Sequence, residues 1–217
     1  MAVRMEEVLS RRTGDPSSTD HPGHRLELST EDGVTKIFGF WMFLVSDVLL
    51  FASLFATYVV IYTHTANGPS ASELFGHDVS GFLAETLALL TSSFTCGLAT
   101  WEMHQGRAGR LKFWMIITLL LGLTFLGLEI TEFRDFVSQG ATLQTSAFLS
   151  GFYTLVGTHG AHVTLGILWM SLILYQLVRF GLNAVTARKF YIVGLYWHFL
   201  DIVWVLIFTV VYLTGVM

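Results

Sequence analysis

LKFWMIITLLLGLTFLGLEITEF, residues 111–133, is the stretch on which the fold turns. Its charged residues are Lys112 at one end and Glu129 and Glu132 at the other, which leaves a long uncharged run between them. As a helix rising ~1.5 Å per residue, such a run crosses the ~30 Å hydrocarbon core of a bilayer. Four more runs of this kind lie at 37–62, 79–103, 146–177 and 190–216, and all five are expected to be helices. The connections between them are short and polar, with turn-forming chemistry at Gly68 and Pro69, at Gly106 and Gly109, at Gln139 and Gly140, and at Gly181, Leu182 and Asn183. The spacing predicts an all-α, polytopic membrane protein with five transmembrane helices in residues 37–217, and no soluble domain between them.

Composition agrees. Of 217 residues, 53% are hydrophobic and 13% charged, whereas about a quarter of an ordinary soluble domain is charged. The net charge of −4 shows no basic excess, which sets aside a nucleic-acid partner. The single cysteine, Cys96, lies in an apolar run and supports neither a disulfide framework nor a thiolate metal site; it reads as a small packing residue. Residues 1–36 are polar, contain Pro16 and Pro22, and are expected to form a flexible tail. Because the first long apolar run starts only at Ile37, a cleaved leader is not expected.

Lysine and arginine set the orientation. Arg4, Arg11, Arg12, Arg25 and Lys36 precede the first span. Arg107, Arg110 and Lys112 lie between the second and third, and Arg179, Arg188 and Lys189 between the fourth and fifth. Arg134 falls on the opposite side. This places the N-terminus in the cytoplasm and the C-terminus in the periplasm.

Ionisable groups inside a span are costly and must face protein, water or headgroups. Counting along the helices predicts an inner layer of Asp47, His159, His162, His198 and Asp201, and an outer layer of Glu85, Glu129 and Glu132. His159 with His162, and His198 with Asp201, are three apart and share a helix face. Imidazoles from two helices could hold a heme or a metal. The preferred reading is that they hydrogen-bond across packed helices and to Asp201 as interhelical ties, and a proton relay through Asp47 and the histidines is a third option. A di-iron bundle is disfavoured, since the glutamates form no Glu-x-x-His pairs. No span contains proline, which argues against a broken-helix transporter.

Span four carries Gly151, Gly157, Gly160 and Gly166 among other small residues, a pattern that admits a close neighbour, either a helix of the bundle or a partner helix or lipid. Glu102, Met103 and His104 beside Arg107 form either a headgroup-binding cluster or a solvated surface.

The runs VGTHGAHV (156–163) and YWHFLDIVW (196–204) resemble the paired signatures of subunit III of the heme-copper terminal oxidases. The resemblance extends in order to FGFW (38–41) and SDVLLF (46–51), to SSFT (92–95) with Gly97, and to GLEI (127–130) with Glu132 and Phe133, and it covers the chain from Lys36 onward. Many cytochrome c oxidase versions have seven helices. With five, this chain most resembles the cytochrome o ubiquinol oxidase type, with the cytochrome c oxidase type as the alternative.

The resemblance implies a non-catalytic subunit of a proton-pumping quinol oxidase in the bacterial inner membrane, part of an enzyme that couples quinol oxidation to reduction of oxygen to water in aerobic respiration. It implies no catalytic, cofactor-binding or metal-binding residue in this chain. Heme and copper are expected in the partner catalytic subunit I, with subunits II and IV completing the complex and phospholipid held in a cleft. Asp47, Glu85, Glu129, Glu132, His159, His162, His198 and Asp201 then become internal polar ties or lipid-cleft residues. In one departure, Asp47 stands where cytochrome c oxidase relatives commonly carry glutamate. The remaining alternative is a membrane heme or metal enzyme using His159, His162 and His198.

Overall fold

The computed structural model describes residues 31–65 and 79–214. They form five long helices: α1 (Glu31–Ile61), α2 (Val79–His104), α3 (Ala108–Ser138), α4 (Ala147–Phe180) and α5 (Ala184–Ile207), the last continuing through a π-helical segment at Phe208–Leu213. All five are long and apolar enough to cross a membrane. The helix α1 begins at Glu31, so residues 31–36, expected in the tail, belong to it. The rest of the expected tail and the Gly68 and Pro69 turn lie outside the described residues.

Three turns use glycine for its backbone freedom: Gly106 (φ 70°), Gly140 (φ 82°) and Gly181 (φ 72°) each adopt the left-handed conformation that ends a helix or reverses the chain. Two helix starts are capped by side chains. Ser146 Oγ accepts from the Leu149 N–H (3.1 Å). Asn183 Oδ1 accepts from Val185 and Thr186, and the Thr186 hydroxyl completes a capping box at the Asn183 N–H (2.9 Å). These caps start α4 and α5 where the apolar periodicity alone is silent, and α5 accordingly begins six residues before the expected 190.

The order of packing follows the short connections. The helix α2 lies along α3, α3 on α4, α4 on α5, and α5 returns to α2, so these four close a ring; α1 packs from outside on α4 and α5. The aromatic core runs through the ring, with Trp197, Trp204, Phe125, Phe148, Phe152 and Tyr212 all enclosed.

The distribution of polarity is the opposite of a water-soluble bundle. Leu83, Leu87, Leu90 and Phe94 point outward along α2, as do Leu165, Leu168, Leu172 and Tyr175 along α4. Asp47, Glu85, Ser92, Ser93, Thr95, Thr118, Glu129 and His159 are buried inside. A surface this apolar is stable against acyl chains and not against water, and it leaves helix-to-helix contacts to carry the polar groups.

Candidate functional site

The interior is organised around two tryptophans of α5. The Trp197 ring enters a slot whose walls are glycines. A Cβ on Gly122 of α3 would stand 2.8 Å from the ring, and one on Gly166 of α4 would stand 3.1 Å from it. The indole N–H donates to Ser92 Oγ on α2 (3.0 Å), so one side chain joins four helices. Two turns on, the Trp204 N–H donates to Thr86 Oγ1 (3.2 Å), and its ring meets Phe125 edge-on at 4.6 Å.

His159 lies against Trp204 (ring centroids 5.3 Å apart), Phe125 and Phe51. It is 0% exposed, and neither ring nitrogen has a hydrogen-bond partner among the described residues. Its neighbour Gly160 gives room to Glu129: a Cβ there would come 2.7 Å from Glu129 Oε1. His159 therefore sits level with Glu129, and the expected inner layer is corrected on this point. Eighteen residues separate His159 from Leu177, the expected inner end of its span, and ~27 Å of helix already lies far beyond an inner layer.

His162, one turn closer to Phe180, belongs to a different group. Its Nδ1 donates to the Thr158 carbonyl (2.7 Å), which turns Nε2 toward Asp47 Oδ1 of α1 at 3.4 Å. With Nδ1 already a donor, the contact is favourable when one proton sits between Nε2 and Asp47. Tyr196 closes this group by donating to the His162 carbonyl (3.2 Å). His198 faces away from both, toward α2, where its Nδ1 meets Ser93 Oγ at 2.7 Å. Asp201, a turn along α5, lies within electrostatic reach of both.

The outer glutamates gather near the π-helical segment. The wider turn at Phe208–Leu213 presents Tyr212 to α3, where its hydroxyl donates to Glu132 Oε1 (3.0 Å), and to α2, where its ring meets Phe82 at 4.2 Å. Glu85 and Glu129 are close enough to act on Tyr212 electrostatically.

The three histidines thus have three different surroundings. Among the described residues no three His, Cys, Asp or Glu side chains come together in a way that could hold a metal ion. The glycines of α4 are each used inside the bundle: Gly151 faces Ile61 and Tyr58, Gly157 faces Phe133, Gly160 faces Glu129 and Gly166 faces Trp197. Glu102 is buried and bridged by Arg107 (3.6 Å) and Arg110 (3.5 Å), which makes that cluster an ion-pair network at the α2 to α3 turn. Cys96 is buried, unpaired by any disulfide, and packs near Gly194. Trp101 and Trp41 are about half exposed, as interfacial anchors would be, whereas Trp204 is internal.

The family model described as cytochrome c oxidase subunit III matches residues 27–216. The chain belongs to the cytochrome c oxidase subunit III family. Among curated members, "Quinol oxidase subunit 3" of Bacillus subtilis (strain 168) is 51% identical over 190 residues, 88% of this chain and 92% of that one. "Cytochrome c oxidase subunit 3" of Bacillus sp. (strain PS3) is also 51% identical, over 86% of this chain and 89% of its own. "Cytochrome bo(3) ubiquinol oxidase subunit 3" of Pseudomonas aeruginosa is 46% identical over 208 residues, 96% of this chain and 97% of that one. As a member of the cytochrome c oxidase subunit III family, the chain is a multi-pass protein of a bacterial membrane and a subunit of an oxidoreductase complex.

The Trp197 slot and the Tyr212 contact to Glu132 are parts of the interior that sequence reasoning missed. Gly166 signalled a close approach on α4, but no local pattern names Trp197 as its occupant or Gly122 as the second wall.

Proposed function

We propose that this chain is the non-catalytic subunit III of a proton-pumping heme-copper quinol oxidase, in which it steadies the catalytic subunit and supports sustained turnover. The observation that carries the reading is the near end-to-end similarity to the Pseudomonas aeruginosa relative, whose name specifies ubiquinol oxidase. Heme, copper and the chemistry of oxygen belong in this reading to subunit I, and subunits II and IV complete the complex. The equal identity of the Bacillus sp. (strain PS3) relative favours a second reading, in which the electron donor is cytochrome c.

The N-terminus lies in the cytoplasm in this proposal, since Arg107, Arg110 and Lys112 at one turn and Arg179, Arg188 and Lys189 at another share an end of the bundle. Residues 1–36 contribute a polar cytoplasmic tail, its last residues continuing into α1. A pocket of about 840 Å³ at the α4 to α5 turn, lined by Tyr175, Gln176 and Lys189, suits a phospholipid headgroup at that interface. The polar groups Asp47, Glu85, Glu129, Glu132, His159, His162, His198 and Asp201 act as ties and packing elements, with no reacting atoms among them.

Tagging this chain, purifying it gently from membranes and assaying the complex tests the proposal. The expected result is that heme and quinol oxidation travel with a larger polypeptide and that the separated chain is colourless. Oxidation of reduced cytochrome c in place of quinol would establish the second reading. Heme or metal retained by the isolated chain and removed by His159→Ala or His198→Ala would overturn both.

Asp47→Asn is expected to leave heme content of the complex unchanged, because the amide N–H can donate to His162 Nε2 and keep α1 tied to α4. Heme quantification per complex checks this, and a drop to half or less would show that Asp47 does more than tie α1 to α4.

A further inference from the structure

The outer face of α5 toward α2 carries a polar notch in an otherwise apolar wall. Ser93 and His198 meet there at 2.7 Å, Asp201 stands a turn away, and His198 and Asp201 are only partly buried. Around them lie Leu90 and Phe94 of α2 and Ile202 and Val205 of α5, all exposed, Phe94 at 67% and Ile202 at 62%. Ser93 occupies His198 Nδ1, and the described residues give Nε2 no hydrogen bond. His198 is fourteen positions into the helix running Ala184–Leu213, ~21 Å from its start and close to its middle.

At that depth neither solvent nor acyl chains can serve an imidazole nitrogen, and lipid headgroups are ~15 Å away. His159 is fully buried and His162, partly exposed, turns Nε2 to Asp47; of the three, His198 combines partial exposure with a ring nitrogen that has no hydrogen bond among the described residues. We propose that the α2–α5 face is the seat of a transmembrane helix of the catalytic subunit. That helix places a hydrogen-bonding side chain on His198 Nε2 and packs against Phe94 and Ile202. The inference rests on the subunit III reading and adds to it the face of contact. A polar contact flanked by large apolar side chains supplies both register and area, as interhelical hydrogen bonds in membranes do.

Photo-crosslinking in the intact complex tests it. A photoreactive phenylalanine analogue is placed in turn at Phe94, at Ile202, and, as outward-facing controls on other helices, at Leu120 and Leu168. Crosslinks from Phe94 and Ile202 to the heme-bearing polypeptide, and none from the controls, are the expected result. Crosslinks to that polypeptide from Leu120 or Leu168 instead would overturn the face while leaving the subunit III reading intact. Phe94 and Ile202 reaching only lipid, or a second copy of this chain, would overturn it too. If the chain neither co-purifies with a heme-bearing polypeptide nor crosslinks to one from any position, the subunit III reading itself falls. In the same complex, His198→Leu keeps the packing volume and removes both the Nε2 bond and the Ser93 contact, while Ser93→Ala removes the Ser93 contact alone, so retention of the chain through detergent washing should weaken about 3- to 10-fold for His198→Leu and stay unchanged for Ser93→Ala. Retention of the His198→Leu chain equal to that of the unaltered chain would show that Nε2 holds nothing.

Discussion

Trp197→Ala is expected to strip this chain from the oxidase complex. The indole touches α2, α3 and α4 from α5, filling the space between Gly122 and Gly166 and donating to Ser92. Truncating a buried tryptophan costs about 3–5 kcal/mol, in lost contacts and in the cavity left behind. No neighbour can fill that cavity, since two of its walls are glycines without side chains. Against total stabilities of about 5–15 kcal/mol, such a loss lowers the folded-to-unfolded ratio a hundredfold or more. Thermal unfolding of the complex, followed by how much of this chain stays with the heme-bearing polypeptide, measures it. Trp197→Phe should be milder, since a smaller ring still occupies the slot. A Trp197→Ala chain retained as firmly as the original would show that the slot carries no stability.

Gly122→Ala is expected to do smaller damage of the same kind from the opposite side. The added methyl would stand 2.8 and 2.9 Å from two atoms of the Trp197 ring, too close for carbon atoms, and the ring is rigid and enclosed. Forcing an extra carbon into a filled interior costs about 1–3 kcal/mol. The two changes share one volume, so they should not add: Gly122→Ala combined with Trp197→Phe is expected to be less destabilised than the sum of its parts. A double-mutant cycle on thermal unfolding reads the coupling, and strict additivity would mean that Gly122 acts through something other than the ring. Gly160→Ala, whose methyl would meet the end of the Glu129 side chain, has a more adjustable neighbour and serves as the contrast.

These effects show which parts of the molecule could be read from the chain and which could not. The five spans were legible because the requirement that creates them is local: a helix in hydrocarbon must be apolar along its own length. Their ends were less so. The start of α5 moved to Ala184 because Asn183 and Thr186 form a capping box, a signal of side-chain chemistry and not of hydropathy. The pairing of His162 with Asp47 and of His198 with Ser93 lay beyond reach, since it depends on how each helix is rotated about its axis. The depth of His159 was legible and the inner-layer placement was wrong on its own count, since eighteen residues, ~27 Å of helix, separate it from Leu177. Tyr212 escaped notice altogether, for its position on Glu132 depends on a π-helical turn that shifts every later side chain out of the α-helical count.

The outside position of α1 bears on how the protein is made. It leaves the ribosome well before α4 and α5, the helices it packs on. Until they arrive, α1 sits in the lipid with Asp47 lacking its eventual neighbour His162. Biogenesis must therefore tolerate a carboxyl-bearing helix waiting in the bilayer for most of the time the chain takes to emerge. The Asp47 to His162 contact becomes the event that ends the wait, and a nascent chain stalled before residue 162 should hold α1 in a protease-sensitive, loosely inserted state.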